Sequence, residues 1–148
     1  MALQEISVVP VLQIAGAYTA ADNVGALLTF DVAGSGRPIV LKRLIIIDAD
    51  KENAEFNIHF FNASPAAAAR TDADAYAPVA ADLAKKLATI NVAATAYVDS
   101  ASDSIAIKED LDYEFVLKTE LYAVLACVGT PTYTAVDDLT VKIVVDVL

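Results

Sequence analysis

The sequence predicts an all-β protein: an antiparallel, jelly-roll-like β-sandwich with one short helix and an extended N-terminal arm. Three observations carry this. Apolar residues recur every second position over most of the chain, the period that places one row of side chains on a core face and the other toward water. Turn signals interrupt these runs at short intervals, as sandwiches and barrels require. Only one stretch suits a helix. At 148 residues the chain is one domain's worth, residues 1–148, and large enough for a real core without metals or disulfides.

The elements follow in chain order. Residues 6–14 (ISVVPVLQI) are extended by propensity, but Pro10 lacks the amide that a central strand must donate. The segment is therefore an edge strand on its own sheet or an arm pairing with a neighbouring subunit; residues 1–15 are the candidate arm, and their removal is expected to leave the sandwich folded. Residues 16–25 lead into an apolar run at 26–30. The Gly34-Ser35-Gly36-Arg37-Pro38 break precedes residues 38–47 (PIVLKRLIII), whose uniform apolarity reads as a central strand covered on both faces, or as one whose outer face meets a partner. A polar tip, 48–53, links it to a strand at 54–61, where Phe56, Ile58 and Phe60 alternate with Glu55, Asn57 and His59.

Residues 62–78 break the rhythm with Pro65, four consecutive alanines, Arg70 and Thr71-Asp72-Ala73-Asp74. This is too long for a hairpin turn and reads as an excursion across one face or beyond the domain. Residues 78–87 (PVAADLAKKL) form the expected helix, of two or three turns at most, with Pro78 at its start, Asp82 early and Lys85-Lys86 late, in keeping with the helix dipole. Further strands are expected at 105–108, at 113–117 with Tyr113, Phe115 and Leu117 inward, at 121–128 (LYAVLACV, again either covered on both faces or with an outer face that meets a partner), and at 139–147 with Leu139, Val141, Ile143, Val145 and Val147 inward.

Composition narrows the function. Acids outnumber bases 20 to 10, a formal charge of −10, so phosphate backbones are repelled and no nucleic-acid partner is expected. The longest uncharged stretches carry Pro, Gly, Thr or Gln and fall short of a bilayer span, so no membrane partner is expected. The N-terminus lacks the basic and apolar regions of a signal peptide, which points to synthesis in a host cytoplasm. One His, one Cys and no Trp leave few catalytic or metal chemistries, so neither enzyme activity nor a cofactor is expected, and no residue is assigned as catalytic, cofactor-binding or metal-binding. His59 reads as a surface or interface histidine, and Cys127 as a packing residue in an apolar strand without a base beside it. Asp48, Asp50 and Glu52 match the first three ligand positions of a calcium loop. Asn53 then stands where glycine is needed and His59 where a bidentate glutamate belongs. The solubility of hairpin tips suffices to explain most of these acidic turns, and calcium at one of them stays open.

Three strings carry a resemblance: ISVVPV followed by AGAYTAADNVGA at 15–26; LIIIDADKENAEF at 44–56; and YAVLACVGTPTYTAVDDLTV at 122–141. Together they resemble small structural proteins of tailed-bacteriophage virions, and the likeness runs in similar order along nearly the whole chain. The resemblance implies a non-enzymatic virion component, a capsid decoration or cement protein that binds the capsid exterior and self-associates as a dimer or trimer. Its implied partners are the major capsid protein or other virion proteins. The residues expected at the contact are Val8, Val9, Val11, Leu12 and Ile14, together with the 62–78 excursion. The alternative is a receptor- or carbohydrate-binding module of a phage tail or neck, with Tyr18, Tyr76, Tyr97 or Tyr133 as stacking platforms.

Overall fold

A computed structural model describes residues 2–32 and 36–148. Among these residues the strands are β1 (Ala2–Val8), β2 (Leu28–Phe30), β3 (Pro38–Asp48), β4 (Phe56–Phe61), β5 (Lys86–Val92), β6 (Tyr97–Asp99), β7 (Ser104–Lys108), β8 (Tyr113–Val116), β9 (Leu121–Cys127) and β10 (Leu139–Val147). The helix α1 is a single turn, Ala80–Leu83. The start of the 34–38 break lies outside the described residues.

All strand pairings are antiparallel. One sheet runs β1-β10-β3-β7-β6, with β8 beside the first part of β3; the other runs β2-β9-β4-β5. The chain steps from sheet to sheet at β1–β2, β2–β3 and β3–β4. It later inserts β9 between β2 and β4, and β10 between β1 and β3. That order is the jelly-roll order of strands, with β7 and β8 sharing the place beside β3.

Alternation builds the interior. Leu139, Val141, Ile143, Val145 and Val147 of β10 are buried, while the residues between them are half-buried. They join Phe56, Ile58 and Phe60 of β4 and Leu121, Ala123 and Leu125 of β9, so both sheets feed one hydrophobic cluster. Phe60 of one sheet meets Phe115 of the other, ring centroids 6.1 Å apart. Tyr113, expected inward, is exposed at the start of β8. The register shifts at Val144/Val145, where Lys42 and Arg43 sit against a single position of β10. Such a bulge turns both basic side chains to the outer face.

Three expectations are corrected. The helix at 78–87 stops after one turn: Asp82 accepts the Val79 amide at its start, and Lys86 already pairs with Phe61 as the first residue of β5. Pairing with β4 overrides a local pattern too short to hold a helix alone. Residues 1–15 are not a free arm in this fold, because Ala2–Val8 pairs along its length with β10 of the same chain. His59 does turn away from Phe56, Ile58 and Phe60, but it is buried, not at the surface.

The excursion explains the histidine. Residues 73–76 pair with 21–23 at the edge of the four-stranded sheet through Ala73 N–Asn23 O, Asn23 N–Asp74 O and Tyr76 N–Ala21 O, all 2.8–2.9 Å. Residues 21–24 in turn bond to 125–127 of β9 and so prolong β2. The segment thereby lies over the outer face of its own sheet. Phe61, Ala69, Val124 and Ala126 are buried yet stand outside the main cluster, a small second core beneath it. This is why residues 121–128 are apolar on both faces. Among the described residues the outer face of the six-stranded sheet has no such cover.

Candidate functional site

The expected contact residues lie on one short path. After β1 the chain turns through Val9 to Ile14 beside the 131–136 loop, tied by Leu12 N to Val136 O at 3.0 Å. Anchors and free side chains alternate. Pro10 and Leu12 are buried, whereas Val9, Val11 and Ile14 are half or more exposed, next to the exposed Val136. Val8 is partly buried against the core. Of the five residues expected at a contact, three therefore present apolar surface, and Leu12 is core. A 1–15 deletion would strip an edge strand and a core leucine, so point substitution is the sounder probe of this surface.

A hydrogen-bonded pin holds the path in place. Gly25 has φ +76°, a left-handed conformation that glycine adopts without steric cost, and its Cα faces the Pro10 ring. Its amide donates to Asp72 Oδ1 at 2.7 Å, and Tyr18 Oη donates to the same oxygen at 2.8 Å. The Gln13 amide donates to that Tyr18 hydroxyl at 2.8 Å. Burial, then the nearby Asp72 carboxylate, hold the Tyr18 phenol protonated well above its ordinary range. Composition and period gave no sign of this pin, because its members are 54 residues apart in sequence.

On the far side of the excursion His59 stacks on Tyr76, centroids 3.9 Å apart and planes 10° from parallel, and its Nδ1 lies 3.0 Å from Thr89 Oγ1. Burial, with Lys86 nearby, lowers its pKa from 6.5 to about 4, so the ring is neutral at neutral pH. Lys86 Nζ sits 5.8 Å from the Tyr76 ring centroid. Asp82 closes the excursion by accepting the Ala66 amide at 2.8 Å and the Val79 amide at 3.0 Å. Those two bonds hold its carboxyl below the usual range.

The acidic turns converge at one end of the fold, and their carboxylates hold loops. Asp48 accepts the Asp50 and Asn53 amides; Asp50 and Asp138 both accept from Thr134; Glu52 accepts the Thr132 amide. Among the described residues no three His, Cys, Asp or Glu side chains converge as a metal site. Cys127 is buried, its thiol donates to Thr19 O at 3.2 Å, and burial raises its pKa. The four candidate tyrosine platforms are already engaged. Tyr18 and Tyr133 meet edge to face and are each 1% exposed, Tyr76 covers His59, and Tyr97 donates to Ala54 O at 2.8 Å. Among the described residues no helix is long and apolar enough to cross a membrane. No protein-family model matches the chain, and no curated protein matches it.

Proposed function

We propose that this chain is a non-enzymatic structural protein of a phage particle, a decoration or cement protein that binds the capsid exterior and self-associates. The resemblance of its sequence to small virion proteins motivates the reading. The observation that carries it is the row Val9, Val11 and Ile14, apolar side chains held outward on a backbone fixed by the buried Pro10 and Leu12. A rigid apolar row loses little conformational entropy on docking, which favours affinity. The acidic exterior keeps many copies soluble and repels packaged DNA.

Cosedimentation tests it. The purified chain is mixed with undecorated heads of the phage that encodes it, and bound protein is measured after pelleting. Wild type is expected to pellet with heads at a fixed stoichiometry. Val11→Lys together with Ile14→Lys is expected to weaken binding at least about tenfold with an unchanged circular dichroism spectrum, because a charge is placed in an apolar contact. Wild type that stays in the supernatant would overturn the proposal.

A further inference from the structure

Among the described residues no segment is paired over the second face of the six-stranded sheet, whose side chains run from buried Val40 to exposed Val98. Ile45 and Ile47 of β3 and Ile105 and Ile107 of β7 flank the buried Ile46 and Ala106, and Val98 of β6 is registered beside Ile105. They form a contiguous β-branched patch across three strands. Val98 is 69% exposed and Ile107 43%. Further along, the Lys42–Arg43 bulge, Leu3 and Val144 line a shallow hollow of about 590 Å³.

Charge on this face is unlike charge on the rest of the molecule. Its outward side chains include three bases, Lys42, Arg43 and Lys142, and three acids, Glu5, Glu114 and Asp146, as their registers place them, and Asp110 and Asp112 line the hollow beside the bulge. Three bases against five acids leave the face at −2 on a chain of formal charge −10, so it is the less acidic side. Two copies repel one another through most approaches and least through this one. Two of the bases are engaged within the chain, Lys42 with Asp112 at 2.9 Å and Lys142 with Glu5 at 3.3 Å. Among the described residues the Arg43 side chain has no hydrogen bond or ion pair, and the shielded Oδ1 of Asp146 has no partner. Five strands at about 4.8 Å spacing and about seven residues long offer roughly 600 Å². That approaches the ~800 Å² per partner of a standard interface.

We infer that this face is the surface on which a second copy of the chain docks, sheet against sheet about a twofold axis. A twofold contact presents the same patch from both sides, so the β-branched stripe buries against itself and Arg43 of one copy gains access to carboxylates of the other. The inference rests on the self-association in the proposed function and owes nothing to the capsid.

Sedimentation velocity and light scattering of the purified full chain over micromolar concentrations test it, on wild type, on Val98→Asp with Ile107→Asp, and on Val11→Asp. Both changed strand positions are solvent-facing, and an unchanged urea midpoint checks folding. A wild-type dimer that Val98→Asp/Ile107→Asp weakens at least about a hundredfold, and that Val11→Asp leaves intact, is the expected result. A dimer lost with Val11→Asp but kept with the strand variant overturns the face assignment while self-association stands. A trimer also overturns it, since an isologous contact closes at two. A wild-type monomer overturns both the face and the self-association.

Discussion

Gly25→Ala reports directly on how the segment after β1 is locked. A Cβ built on Gly25 falls 2.7 Å from Pro10 Cβ, and the backbone there has φ +76°. Two costs combine. A left-handed alanine costs about 1–2 kcal/mol, and forcing a methyl into a packed contact costs about 1–3 kcal/mol. The stiffer unfolded chain returns about 0.5–1 kcal/mol, leaving a net loss of about 1–4 kcal/mol. With a urea dependence of about 2 kcal/mol/M, the unfolding midpoint falls by about 0.5–2 M. The second background separates the two costs. In Pro10→Gly the atom that the new methyl would strike is absent, so Gly25→Ala there should cost about 1 kcal/mol or less, the conformational part alone. A midpoint unchanged in the first background, or an equal loss in both, would refute the claim that the Pro10 ring seated on Gly25 fixes this segment.

Two other perturbations have calculable outcomes. Lowering the His59 pKa from 6.5 to about 4 means that the unfolded chain takes up the proton first. Its contribution is complete above pH 6.5 and is lost as pH falls toward 4, by about 3 kcal/mol at most. His59→Phe keeps a ring against Tyr76, so its stability curve should be flatter than wild type between pH 6.5 and 4; parallel curves would rule the histidine out. Cys127, buried with a raised pKa, should react with a thiol reagent at pH 8 only as fast as the protein opens; reaction of the native protein at the rate of a free thiol would contradict the packing described.

How far the sequence told the fold depended on whether a signal was local. The alternation in 139–147 placed β10 and its buried row, because period two is a property of neighbouring residues. The apolar run at 121–128 was legible as a strand apolar on both faces, but not whether its own chain or a partner covers it, and the cover itself, residues 62–78, was recognisable only as an anomaly. The 78–87 stretch misled because four residues of good helix chemistry and the first residues of β5 overlap, and only pairing with β4 decides between them. At the candidate site, proline at position 10 signalled an edge segment. Which of Val8, Val9, Val11, Leu12 and Ile14 face outward depends on the seat offered by Gly25 and on the bond to Val136, both distant in sequence. His59 was judged by its own strand, and the segment that buries it arrives from elsewhere.

The strand order carries a consequence for biogenesis. β10 is the last strand in sequence, yet it lies between β1 and β3, with Ala2 opposite Val147 and Val147 opposite Ile39. Until residues 139–147 are made, the first and third strands wait with a gap between them, the first raw on both edges and the third on the edge that faces the gap. The sheet closes only when β10 slots in, so a chain without residues 139–148 lacks a middle plank and is prone to stick to its neighbours.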